Sequence, residues 1–234
     1  MNNRGHISGS FSSELDSVKN RLLEMGGVVE RQITSAIDAL TSNDRKMSKQ
    51  LIDADRLVNE FEVNIGEECA RIIALRQPAA SDLRLVVTVT RITSELERIG
   101  DEAVKIARQA LLLGKETSSR TNYAEIKVIA ERVSGMLRES LDAFTRLDVQ
   151  AALEVRMADK RVDEEFSTAL GNVRALMVED VAMINPLICE IWVLKALERV
   201  GDHACNIAEQ VIFLDLGVDV RHLSSSELQQ LLAQ

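Results

Sequence analysis

Two stretches of this chain carry apolar residues at spacings that alternate between four and three. The first holds Leu85, Val89, Ile92, Leu96, Ile99, Ala103, Ile106, Ala110 and Leu113, and the second Val193, Leu197, Val200, Ala204, Ile207, Val211 and Leu214. On a helix this alternation keeps one stripe of side chains facing a partner, the seam of a left-handed helix bundle. The two seams also match in sequence. L-E-R-I-G-D-E-A-V-K-I-A at 96–107 and L-E-R-V-G-D-H-A-C-N-I-A at 197–208 are identical at 8 of 12 positions, with Glu198 following Glu97 by 101 residues. A second match, A-D-R-L-V-N-E at 54–60 against A-D-K-R-V-D-E at 158–164, has an offset of 104. A whole half of the chain is therefore repeated, which points to an internal duplication.

Six helical segments follow from caps, breakers and periodicity. The first runs from about Ser13, opened by the capping box Ser13-x-x-Asp16, to Leu40. The polar turn Thr41-Ser42-Asn43-Asp44 leads into a second segment that Pro78 ends near Arg76. A third starts at the cap residues Ser81-Asp82 and stops at Gly114. The polar, aperiodic run K-E-T-S-S-R-T-N at 115–122 separates the halves. Segment four spans Tyr123 to Leu147, and segment five follows the cap Asp148 as far as Ala182. Asn185-Pro186 opens segment six as cap and first helical residue, and Gly217 closes it. Only 2 Pro and 7 aromatics occur among 234 residues, which favours helix almost throughout. The expected fold is all-α: two tandem pseudo-symmetric three-helix bundles, residues 1–115 and 116–217, and a tail at 218–234 with one short helix after Ser226.

Composition narrows the function class. Hydrophobic residues at 46% and charged residues at 28% fit a folded soluble chain. A net charge of −9 argues against a nucleic-acid binder, which needs a basic stripe. Cys69, Cys189 and Cys205 lack Cys-x-x-Cys spacing and fall in helical patterns, where a free Cys behaves as a small buried hydrophobe. Without a disulfide framework the expected compartment is a reducing cytoplasm. Met1 to Phe11 has no apolar run of a secretory signal, and no stretch reaches the ~18–20 apolar residues of a membrane span.

The repeated acids are the candidate chemistry. With Leu96 and Ile99 on the seam, Glu97 and Asp101 fall outside it, four residues apart on one helical stripe, and Glu198 and Asp202 repeat the arrangement. Asp55 and Asn59, and likewise Asp159 and Asp163, flank the seam residues Val58 and Val162. Each bundle thus offers four oxygen-bearing side chains from two helices on its outer surface. Such positions serve either as a solvated face, with Asp101 paired to Lys105, or as a metal or polar-ligand site. Like charges at i,i+4 cost roughly 0.2–0.5 kcal/mol and helix-interior glycines ~0.8–1 kcal/mol. A merely solvating face could avoid both costs at Gly100 and Gly201. All-oxygen ligands suit Mg²⁺, Mn²⁺, Ca²⁺ or iron. Arg98 and Arg199 present forks for an oxyanion or a carboxylate, or close intrahelical pairs such as Arg98 with Glu95 or Glu102. His203 is read as a satisfied surface histidine, Trp192 as core, and Gly26-Gly27 as a site of close helix packing. No nucleophile–base pair, phosphate-cradling loop or inward Glu-x-x-His motif is present, so no enzyme is expected.

The chain resembles the PhoU family of phosphate-uptake regulators. The doubled Glu-Arg-[Ile/Val]-Gly-Asp at 97–101 and 198–202 carries the resemblance, with Arg76-Gln77-Pro78 running into Ser81-Asp82-Leu83-Arg84. His6-Ile7-Ser8-Gly9 before Phe11 and Met25-Gly26-Gly27 add to it. The resemblance implies two three-helix bundles in a cytoplasmic negative regulator of phosphate uptake and phosphate-starvation signalling. Such an adaptor joins the phosphate ABC transporter to a sensor histidine kinase, is a homodimer, and reaches the inner membrane through these partners rather than by insertion. It also implies metal ions (Mg, Mn, Fe or Zn) on the bundle surface at Glu97–Asp101, Asp159–Asp163, Glu198–Asp202 and Asp55–Asn59. Asn59 departs from the family pattern, since an amide replaces an acid and lowers the charge of that site. The alternative is a metal-dependent phosphate-binding or hydrolytic protein using the same acids.

Overall fold

The computed structural model describes residues 3–113, 123–221, 223 and 227. Six α-helices follow in order: α1 (Asn3–Thr41), α2 (Arg45–Arg76), α3 (Ala80–Leu112), α4 (Ala124–Arg146), α5 (Val149–Glu179) and α6 (Ile184–Leu216), with a 3₁₀ turn at Val181–Met183 before α6. No strand occurs among the described residues, and no described helix is long and apolar enough to cross a membrane. Gly114 and the separator at 115–122 lie outside the described residues, as does the short helix expected after Ser226 apart from residue 227.

The duplication is visible in the caps. Asp44 Oδ1 accepts from the backbone N–H of Lys46 at 2.9 Å and of Met47 at 3.0 Å, opening α2. Asp148, 104 residues later, opens α5 by accepting from Ala151 N–H at 3.0 Å. D-A-L-T at 38–41 and D-A-F-T at 142–145 keep the same offset. Gly217 closes α6 at φ +72°, where a left-handed residue lets its N–H reach Phe213 O.

Some boundaries differ from expectation. Ser13-x-x-Asp16 lies inside α1, which begins at Asn3. Ser and Gly weaken a helix by under ~1 kcal/mol each, and neighbouring turns override them. Helix α3 starts from an extended Ala79 with no side-chain cap, while Asp82 sits in the first turn, where its charge suits the helix dipole. Segment five ends at Glu179 because Asp180 turns the chain, its carboxylate accepting from Ala182 N–H at 3.0 Å. Pro186 then lies within the first turn of α6, where its missing N–H costs nothing.

Helices α1–α3 pack on one another, as do α4–α6, so each half is a three-helix bundle. The halves do not stand apart. α3 and α6 share the most extensive helix–helix contact in the molecule, α1 meets α4, and one continuous apolar core spans both bundles. α3 and α6 run antiparallel, for Arg91, Glu95 and Glu102 pair in that order with Gln210, His203 and Arg199. Gly26 permits the α1–α4 approach: a Cβ there would lie 2.5 Å from Leu141 Cδ1, and Glu30 meets Arg138 one turn away. The seam residues of α3 and α6 are all buried. Helix α2 buries a narrow stripe at heptad spacing, Leu51, Val58, Ile65 and Ile72, joined by Ser48 and Cys69, which leaves most of its circumference to solvent. The start of the tail is docked, with Val220 buried and Arg156 Nη2 donating to Leu223 O at 2.5 Å.

Candidate functional site

Outer helices α2 and α5 lie against α3 and α6 with their polar stripes facing the repeated motif. On the first bundle this brings Asp55 of α2 beside Glu97 and Asp101 of α3. Burial, then the charge of Asp101, raises the Asp55 carboxyl above its ordinary range, while Arg108 and a hydrogen bond from Asn59 oppose the shift. Glu97 is raised by burial and then by Asp101, Glu62 and Asp55. Asn59 and the three acids expected together are therefore neighbours. Glu62 joins them, accepting from Ser94 Oγ at 3.4 Å. Sequence reasoning missed Glu62, although it continues the four–three stripe of Asp55 and Asn59.

The second bundle assembles Asp159 and Asp163 of α5 with Glu198 and Asp202 of α6. Burial, then Asp202, Asp163 and Glu198, pushes Asp159 up to about 6. Burial and Glu198 raise Asp202, against the partial offset of Lys195. Lys195 Nζ donates to Glu198 Oε2 at 2.6 Å and lies 5.6 Å from the centre of the Phe166 ring. Lys195 and Phe166 stand at the repeat positions of Ser94 and Glu62, so the second cluster carries its own cation, and its fourth acid is Asp163 rather than a counterpart of Glu62. Among the described residues, no three acidic, histidine or cysteine side chains already converge on one ion-sized point.

Gly100 and Gly201 sit under the clusters. A Cβ on Gly100 would lie 3.2 Å from Gln32 Oε1, 3.3 Å from Val58 Cγ1 and 3.7 Å from Asp55 Oδ1. On Gly201 it would lie 3.5 Å from Asp159 Oδ1, Val133 Cγ1 and Val162 Cγ1. Gly100 thus lets α2 come close enough to deliver Asp55, which gives its helix-propensity cost a structural reason, whereas a Cβ on Gly201 would meet only ordinary contacts.

Other expectations are corrected. Lys105 pairs with Glu102 at 2.9 Å, not with Asp101. Arg98 does reach Glu95 at 3.4 Å within α3, as expected, whereas Arg199 crosses between the bundles to Glu102 at 2.6 Å. His203 is 7% exposed rather than on the surface. Its Nδ1 lies 2.7 Å from Glu95 Oε2, which also accepts from Asn206 at 3.0 Å. Trp192 is 59% exposed rather than core. Cys69 and Cys205 are buried, but Cys189 is only half-buried.

The fold and these clusters define a duplicated all-helical protein with paired carboxylate stripes on its outer helices. A family model described as the PhoU domain matches residues 22–110 and again 126–211. The chain belongs to the PhoU family. It is 47% identical over 225 residues to the phosphate-specific transport system accessory protein PhoU homolog of Pseudomonas aeruginosa, covering 96% of this chain and 93% of that one. Identity to the phosphate-specific transport system accessory protein PhoU of Escherichia coli is 39% over 236 residues, 100% of this chain and 96% of that one. The crystal structure of PhoU from Pseudomonas aeruginosa superposes with a TM-score of 0.85 at 47% identity, covering 89% of this chain and all of that one. That of the phosphate transport system regulatory protein PhoU from Streptococcus pneumoniae gives 0.84 at 28% identity, covering 90% and 99%.

Proposed function

We propose that this protein is a non-enzymatic accessory regulator of phosphate-specific transport that restrains uptake and phosphate-starvation signalling. Full-length similarity to relatives named as accessory proteins of that transport system carries the reading. In this reading it works in the cytoplasm as a homodimer and adaptor between the phosphate ABC transporter and a sensor histidine kinase. The two carboxylate clusters bind divalent or iron ions, with Asp55, Asn59, Glu97 and Asp101 holding one group and Asp159, Asp163, Glu198 and Asp202 the other. Oxygen donors on two facing helices fit Mg²⁺, Mn²⁺ or iron better than Zn²⁺, which favours thiolate and imidazole. The nearest thiol, Cys205, is held protonated, pushed up to about 12 by burial and by Asp159 and Glu209.

Docking on membrane partners runs through charged faces. A net charge of −9 disfavours anionic lipid, and repeated carboxylates match either a cation bridge or a basic protein patch. Affinity purification from cells grown at high and low phosphate tests this reading. Recovery of the transporter and kinase in a phosphate-dependent manner is expected. Recovery of neither at either phosphate level would contradict it.

A further inference from the structure

Among the described residues, Gln32 stands beside the first cluster with its chemistry unanswered. It lies on α1, is 6% exposed, and neither its Oε1 nor its Nε2 has a hydrogen-bond partner. A buried amide without partners costs about 1–3 kcal/mol, so such a group calls for an explanation. Its Oε1 faces the notch over Gly100, the same notch that Asp55 Oδ1 faces from α2. Two acceptor oxygens thus look into one small space beside Glu97 and Asp101, and Gln32 Oε1 accepts from no donor there. That arrangement suits a cation better than a hydrogen bond.

The duplication supplies an internal control. At the repeat offset of 104, Gln32 corresponds to Met136, and the notch over Gly201 is walled by Val133 and Val162 instead of an amide. The polar wall belongs to the bundle where Asn59 replaces an acid. Two neutral oxygens, from Gln32 and Asn59, then accompany the carboxylates of Asp55, Glu97 and Asp101, a mixed set that hard divalent cations accept.

We propose that Gln32 belongs to the coordination sphere of the first cluster's divalent cation, supplying a neutral oxygen from α1 that the second cluster lacks. The proposal rests on the cation-binding reading of the clusters. The ion would then tie α1 to α2 and α3 in the first bundle, and only α5 to α6 in the second.

The test uses Mn²⁺ and the full-length chain carrying Glu198→Gln and Asp202→Asn, which leaves one cluster intact. Calorimetry and Mn²⁺ paramagnetic resonance read affinity and ligand environment, and thermal melting of the metal-free protein reads folding. Gln32→Met, close in size and apolar like Met136, is expected to weaken Mn²⁺ at least 10-fold and alter the resonance spectrum. Gln32→Glu, which keeps an oxygen in place, is expected to retain Mn²⁺ and an oxygen-rich spectrum. An amide that merely faces the groove of about 430 Å³ between α1 and α2 would behave differently. Gln32→Met would then melt higher without metal and bind Mn²⁺ unchanged, which overturns the proposal. Absence of Mn²⁺ from the parent variant would overturn the first cation site itself. Loss of Mn²⁺ on Gln32→Met alone, with melting preserved, supports the proposal.

Discussion

Glu190 shows how single residues set the pH response of this molecule. It sits in the first turns of α6, almost fully buried, and burial followed by the charge of Glu125 raises its carboxyl to about 7. Between the unfolded value of 4.5 and about 7 the folded chain holds a proton that the unfolded chain releases. The stability this group contributes is complete below 4.5 and is lost as pH rises through 7. Glu190→Gln should therefore stabilise the protein at pH 8 by about 1–2 kcal/mol and change little at pH 5. Urea unfolding at both pH values checks this, and an equal effect at both would contradict it. Gly26 sets a second local limit. Gly26→Ala drives a methyl to 2.5 Å from Leu141 Cδ1, so α1 and α4 must part or Leu141 must turn. A loss of about 1–3 kcal/mol is expected from thermal melts.

Helix by helix, legibility followed the number of partners. The seam of α3 from Leu85 to Leu113 was readable because the side chains it lists face a core at every four–three step, and all are buried. The caps Asp44, Asp148 and Gly217 were readable because their chemistry is local. Glu97, Asp101, Glu198 and Asp202 were placed off the seam correctly, and α2 and α5 bring their acids to them. A single heptad stripe, however, describes one buried face. Helices α3 and α6 have two, so His203 and Glu102, off the seam, lie buried between the bundles. Trp192, read as core, instead stands next to the seam residue Val193 and faces solvent. Helix α2 has a single stripe, which makes it the element most dependent on each contact. Ile65→Ala should cost about 2–5 kcal/mol, while Val63→Ala on its exposed face should cost under about 0.5 kcal/mol. Similar losses for both would mean that α2 packs differently.

At the scale of the molecule, the duplication built two bundles but one core. The α3–α6 seam and its ion pairs join them, so residues 123–221 share apolar surface with the first half that neither can cover alone. Equilibrium unfolding should show one cooperative transition by far-ultraviolet circular dichroism and by Trp192 fluorescence; two separated transitions would mean that the bundles fold independently. The halves also differ where the function is proposed. Gln32 and Asn59 give the first cluster neutral amides and Glu62 takes the place of the acid lost at Asn59, while Lys195 and Phe166 supply the second with an internal cation and an apolar wall. The central claim is that these clusters are a pair of cation sites in a PhoU-family regulator. Metal content of purified protein after loading with Mn²⁺ or iron tests it most directly, measured for the wild type, for Glu97→Gln with Asp101→Asn, and for Glu198→Gln with Asp202→Asn. The account predicts that each double variant keeps its helicity and loses the metal of its own bundle alone; metal content unchanged from wild type in both would contradict it.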